Sequence, residues 1–402
     1  MMMTSVRRGM GGVACGAAAL ACCGAAGAQV APTGTDRFSL EVHAHTIYES
    51  NVAGGDSTVA ALRKLEPEDV TYNLGAAAAF QLPSSRHTLF LTGAVDFDRH
   101  DKNKVLNGEN YEASLGGSSQ LGSCVGTAVA SYAHRQAQIQ DLVVAATKNV
   151  IDQESANVGV RCGRRSIFAG LDGGVTKVMN NGKGAAFIDS ETRSAVASLG
   201  YQNKTLGNLA LTAQYSEVDY QNVPLTVPPA PTGFEQYGFG VNYSRKIGNR
   251  LSGNAGVNYT SLNANGSSLK SDALGADVAL NYRASPRLGL ALSYSLANQA
   301  SAIADAAFVR TEAFRFSGDY KLNSRIALQA AVAKSRNNYR GRQTTFLQIG
   351  KSEDMTVSGG ATVKIGRKLS MTLDASHIDR TADLAQFNYK SNRVSLGIIG
   401  TF

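Results

Sequence analysis

The sequence predicts an all-β fold: a transmembrane antiparallel up-and-down β-barrel of about eighteen strands, with sixteen as the alternative count. Three observations predict it. Apolar residues alternate with small or polar ones from residue 37 to the end, and short turns recur about every 40 residues. Long polar connections lie between those turns, as "DKNKVLNGE", "QNVPLTVPPAPTG" and "YRGRQTT" illustrate. The totals agree. Of 402 residues, 43% are hydrophobic and 17% charged, with 42 Gly and no Trp. That charged share is below the roughly 25% of an average soluble protein. A formal charge of +8 raises nucleic acid as a partner, but Lys and Arg are scattered singly, without a patch or tail. Nucleic-acid binding is therefore not expected.

The first element is a leader. Arg7 and Arg8 precede the small, apolar stretch "GMGGVACGAAALACCGAAGA", and Ala26-Gly27-Ala28 supplies a small-x-small cleavage pattern before Gln29. Residues 1–28 read as a secretory signal peptide and residues 29–402 as a single barrel domain. Beyond the leader no run of about 18 apolar residues occurs, so no membrane-spanning helix is expected. Export without a helical anchor leaves a soluble exported protein or a barrel in the outer membrane of a Gram-negative bacterium.

The strands follow. In "RFSLEVHAHTIY" Phe38, Leu40, Val42 and Ala44 form one stripe, and Ser39, Glu41, His43 and His45 form the other. "RLGLALSYSL" sets Leu288, Leu290, Leu292, Tyr294 and Leu296 against Gly289, Ala291, Ser293 and Ser295. The short turns are centred in "PSSR", "LGSC", "GRRS", "NKTLGN", "IGNR", "SPR", "NSR" and "GRK". One leading strand near 37–49, a hairpin around each turn and a closing strand near 388–402 make up the count. No convincing amphipathic helix is found, and only 139–148 would tolerate one. One-sided loop lengths are the mark of outer-membrane barrels, and a water-soluble sandwich does not explain them. Closure pairs the first strand with the last, because open edges cannot persist in lipid.

In such a barrel the apolar stripe faces lipid and the small or polar stripe faces the lumen. Tyr and Phe gather toward strand ends, for example Tyr48, Tyr72, Phe97, Tyr111, Tyr237 and Tyr259, as an aromatic girdle does. The lumen stripe holds Glu41, Asp96, Asp98, Asp172, Asp277, Asp319 and Asp374 against Arg161, Arg283, Arg315, Lys364 and Arg393. Both signs are present, so the sequence does not fix ion selectivity.

Every short turn but "LGSC" carries a cation: Arg86, Arg164, Arg165, Lys204, Arg250, Arg287, Arg325, Arg367 and Lys368. This basic collar at the periplasmic mouth suits lipid phosphates and turn solubility. A second reading is an electrostatic funnel for an acidic polymer. "VDFDRHD" is the densest titratable cluster, with Asp96, Asp98 and His100 on one face near the extracellular rim. Glu41, His43 and His45 lie two strands away, separated by the small Gly75, Ala77 and Ala79, so the rows can meet across a gap. A solvated rim is the plain reading, a divalent-cation site the sharper one, and a rim protease the least supported, because its carboxylates would need opposite walls. No histidine is followed by the His-x-Ser arrangement of an outer-membrane phospholipase, and no nucleophile is paired with a base. No catalytic residue and no cofactor is expected. Cys124 and Cys162 are the only cysteines beyond the leader, and an even count in an oxidising compartment favours a disulfide. Strand alternation places Cys124 on the lumen stripe and Cys162 on the lipid stripe, which argues for free thiols. Both readings stay open.

Two resemblances complete the reading. Ser395, Gly397 and the terminal Phe402 resemble the C-terminal signal by which barrel substrates are handed to the assembly machinery, although Gly400 stands where an inner aromatic is usual. "TIYESNV" at 46–52 with "EDVTYNLG" at 68–75 resembles the opening of the β-barrel porin-2 family. That resemblance implies an outer-membrane barrel often associated with exopolysaccharide or capsule loci, and it carries over no site. The expectation is a porin-like channel serving polysaccharide export. A general diffusion porin and a non-conducting surface barrel are the alternatives. Outer-membrane lipid, the assembly machinery, and polysaccharide or export-complex proteins are the expected partners.

Overall fold

Alternation carried over so many short-turn hairpins leaves each strand one economical partner, its neighbour in the chain. The computed structural model describes residues 37–136, 149–181, 189–221, 232–266, 269–300, 308–340 and 350–402. Eighteen strands follow in order: β1 (Phe38–Glu49), β2 (Asp69–Pro83), β3 (His87–His100), β4 (Gly108–Leu121), β5 (Cys124–Gln136) and β6 (Val150–Arg164). Next come β7 (Ile167–Asn180), β8 (Asp189–Asn203), β9 (Gly207–Gln221), β10 (Gly233–Ile247), β11 (Leu251–Asn265) and β12 (Lys270–Arg283). The last are β13 (Leu288–Ala300), β14 (Phe308–Lys321), β15 (Ile326–Arg340), β16 (Lys351–Lys364), β17 (Leu369–Ala382) and β18 (Tyr389–Thr401). They form one 18-stranded sheet in which every strand pairs with its chain neighbours. β1 and β18 pair antiparallel, with Val42 opposite Gly400 and Tyr48 opposite Val394, and so close the barrel. The count is eighteen, not sixteen. The sequence-derived leading and closing strands agree with β1 and β18 to within one residue.

The exterior is apolar. Phe38, Leu74, Leu115, Val158, Phe239, Leu274 and Leu396 are all exposed on it, an arrangement stable only against lipid. No described helix is long and apolar enough to cross a membrane. Among the described residues, buried apolar clusters sit only at the end bearing the long connections. One joins Ala53, Ala60, Leu65 and Leu106, another joins Val59 and Phe387, and a third joins Phe234, Leu262, Ala264 and Phe308.

The structure corrects two expectations. A helix, α1 (Ser57–Arg63), lies in the β1–β2 connection, where none was expected. Asp56 caps it by accepting from the Thr58 and Val59 amides at 2.8 and 3.1 Å, and Lys64 ends it in the left-handed region at φ 55°. Seven residues are too few to show helical periodicity. The stretch 139–148 and the leader lie outside the described residues. The second correction concerns cysteine parity. Cys124 and Cys162 are direct cross-strand partners, share one face and are joined as a disulfide. That face also carries Val158 and Val160, so Cys124 points outward and not into the lumen.

Candidate functional site

The candidate site is the inner wall of the barrel. Strand parity assigns its residues, because register partners share a face and the exposed apolar set marks the outside. On β1 the inward set is Glu41, His43, His45 and Glu49, and on β3 it is Asp96, Asp98 and His100. β2 between them offers Asn73, Gly75, Ala77 and Ala79. Across the missing side chain of Gly75, His43 Nε2 reaches Asp96 Oδ1 at 2.7 Å. The small-residue strand thus lets two titratable rows touch.

Asp96, Asp98 and His100 do not converge on a common point. Asp96 turns to His43, and Asp98 accepts from Asn73 and Asn110, each at 2.9 Å. His100 lies 3.2 Å from Asp69 Oδ2 and 3.1 Å from the Thr71 hydroxyl. Asp69 is buried and accepts from the Lys102 and Asn103 amides and the Asn103 side chain, which ties the β3–β4 connection to the top of β2. Among the described residues no group of three or more His, Cys, Asp or Glu side chains is arranged to hold a metal ion.

At the end bearing the long connections α1 and its neighbours form a folded cap on this wall. Arg63 is buried and donates to the Ala53 carbonyl at 2.7 Å. Burial, reinforced by the positive Arg380, pulls its pKa down to about 10, against the partial relief of Tyr389. Arg380 in turn lies 3.5 Å from Asp354. In the same cap the ammonium of Lys102 bonds Glu68 at 3.0 Å, which holds the Glu68 carboxyl below its ordinary range.

The opposite wall differs in chemistry. Above Lys246 the inward stripes of β8 to β11 carry no charge among the described residues. They present hydroxyls and amides instead, such as Thr192, Ser198, Thr212, Gln214, Asn242 and Asn258. At the short-turn end, the collar residues Arg86, Arg165, Lys204, Arg250, Arg287, Arg325, Arg367 and Lys368 all lie in the connections between strands, and Arg164 ends β6. The C-terminal residues sit on the closing strand: Ser395 opposes Ile47, Gly397 opposes His45, and Phe402 exchanges backbone hydrogen bonds with Leu40.

Sequence reading did not single out Asn73 and Asn110, which hold Asp98, or Glu112, which faces inward opposite Ala94. Strand parity alone would have placed Glu112. The amides became visible only with the cross-strand register.

No family model matches the chain, and no curated protein sequence matches it. Solved structures do match. The FrpB iron transporter from Neisseria meningitidis (F3-3 variant) is similar over 92% of this chain and 82% of its own, at TM-score 0.51 and 9% identity. The siderophore receptor PirA from Acinetobacter baumannii is similar over 92% and 81%, at TM-score 0.52 and 7% identity. The outer membrane protein opdK from Pseudomonas aeruginosa is similar over 91% of this chain and 99% of its own, at TM-score 0.50 and 10% identity. Identities this low speak for the fold alone: the chain is a closed eighteen-stranded β-barrel of the outer-membrane type.

Proposed function

We propose that this barrel is a porin-like channel in the outer membrane of a Gram-negative bacterium, reached after loss of the leader, and that polyhydroxylated material crosses it. Polysaccharide export is the finer form of the reading. The observation that carries it is the uncharged hydroxyl and amide wall of β8–β11. Amides and hydroxyls exchange hydrogen bonds with sugar hydroxyls in either sense, without the desolvation cost of a charge. Eighteen strands also enclose enough room for an aqueous lumen. Contacts with lipid, with the assembly machinery and with export-complex proteins belong to the same reading, and the collar meets lipid phosphates at the periplasmic face. No catalytic step, metal or cofactor is assigned.

Two measurements test it. Purified barrel in a planar bilayer is expected to give discrete conductance steps, and a non-conducting barrel would give none. Deletion in the source bacterium is expected to abolish exported polysaccharide while small-solute uptake persists. The reverse pattern would leave a general diffusion porin, which the many inward Gly, Ala and Ser residues also support.

A further inference from the structure

Glycines and aspartates face one another across the inner ladder. The register pairs Gly75 with Asp96, Gly159 with Asp172, Gly256 with Asp277 and Gly360 with Asp374. Gly289 and Asp319 repeat the pairing nearer the short turns. At each of these glycines an added Cβ would collide with the carboxylate of its partner. The missing side chain is therefore the seat of the carboxylate, which lies along the wall and does not project toward the axis. Donors fix three of these carboxylates there. Gln329 donates to Asp374 Oδ1 at 2.9 Å, Asn254 to Asp277 Oδ2 at 3.2 Å, and His43 and Asn73 meet Asp96 Oδ1. In these three aspartates the second oxygen has no protein donor among the described residues and is left for water or a passing ion.

The bases at comparable height are fewer. Arg161, Arg315 and Arg393 face inward, and Arg161 is drawn to the wall with its guanidinium 3.7 Å over the Phe168 ring. Glu41 and Glu112 add to the carboxylate side. Lys246, Arg283, Lys321 and Lys364 occupy the last inward positions at the short-turn end. An anion is gathered at that mouth and then meets carboxylates beyond it.

We propose that the lumen prefers cations over anions, and that the glycine-seated aspartates at mid-height set this preference. Carboxylates lying flat along the wall create a negative potential without narrowing the bore, so small cations and neutral polyhydroxylated solutes pass ahead of anions. This rests on the channel reading above and narrows it, because an acidic polymer becomes the disfavoured cargo.

The test is the reversal potential of purified barrel in a planar bilayer under a tenfold KCl gradient. The wild type is expected to show the cation sign, with a K⁺ to Cl⁻ permeability ratio of about threefold or more. The triple variant Asp172→Asn, Asp277→Asn, Asp374→Asn is expected to bring the ratio close to one at unchanged membrane yield. Should the triple variant fail to assemble, the single variants Asp277→Asn and Asp374→Asn are each expected to lower the ratio. Gly256→Ala, which pushes Asp277 toward the axis, is expected to lower conductance and keep the cation sign. An anion sign in the wild type, or an unchanged ratio in the neutralised variants, overturns the proposal. An assembled barrel with no conductance at all overturns the channel reading and this inference with it.

Discussion

Gly75 is the residue on which the β1–β3 wall turns. A Cβ there would lie 2.5 Å from His43 Nε2 and would also clash with the Asp96 carboxylate. Gly75→Ala is therefore expected to part the 2.7 Å His43–Asp96 contact and to cost about 1–3 kcal/mol through overpacking. Urea unfolding in lipid vesicles would read that loss, and an unchanged midpoint would show that the wall yields freely. The sequence made this contact legible, because small residues on β2 stand between two titratable rows. It did not reveal where Asp98 and His100 go: Asn110 sits on β4, whose register against β3 is set across a long connection, and Asp69 stands two residues beyond Thr71, the register partner of His100. Cys124 was misplaced for a related reason. It is the first residue of its strand, next to the tight turn at Gly122 with φ 63°, and alternation counted from mid-strand loses its phase there. The pattern Ser395, Gly397 and Phe402 shows the same limit. Gly400 lacks the usual inner aromatic, yet a Cβ on it would lie 3.2 Å from the Phe402 ring, so the last residue covers the place the aromatic would take.

Hairpins are the elements that sequence reading locates best, since a short turn fixes both strands and their register. The pairs Gly75–Asp96, Gly159–Asp172 and Gly360–Asp374 straddle short turns and follow from the turn centres alone. Gly256–Asp277 and Gly289–Asp319 straddle connections at the opposite end of the barrel, which those centres do not mark, and do not. The disulfide ties β5 to β6 across a long connection of this kind, closing a separation of 38 residues. Chain-entropy arguments put the stabilisation from such a closure at about 4 kcal/mol, less whatever the intact ladder already supplies. The variant Cys124→Ser, Cys162→Ser is expected to assemble and to unfold at a lower temperature in heat-modifiability gels. An unchanged transition would mean that the ladder alone holds these strands. The cap is the element that the sequence left dark, because α1 is short and is stabilised by the β3–β4 and β17–β18 connections more than by its own pattern. Arg63→Ala removes the donor to the Ala53 carbonyl and opens a void among buried side chains. It is expected to loosen the cap by about 2–3 kcal/mol. Limited proteolysis of intact cells would then cleave residues 50–68 at least tenfold faster, and an unchanged rate would place the cap's stability elsewhere.

At the scale of the whole molecule, an apolar exterior that faces lipid removes the need for a packed core, and what must be satisfied instead is the ladder. Each strand leans on its neighbours, so the barrel exists only once the ring closes, and the β1–β18 seam is the step on which closure depends. That seam pairs Glu41 through Glu49 with Thr401 back to Arg393. It ends in a reciprocal exchange, Leu40 N donating to Phe402 O at 3.0 Å and Phe402 N donating to Leu40 O at 2.7 Å. The Phe402 ring stays exposed at the short-turn end, with Lys368 Nζ 5.0 Å from its centroid. Deleting Phe402 removes both backbone bonds and the terminal aromatic together, whereas Phe402→Ala removes only the ring. If the seam's hydrogen bonds govern assembly, the deletion lowers outer-membrane yield severely and the alanine variant mildly. If recognition of the aromatic by the assembly machinery governs it, both variants fall to the same low yield. Heat-modifiable barrel measured in isolated outer membranes separates these outcomes, and normal yield for both variants would remove the C-terminus from the assembly step.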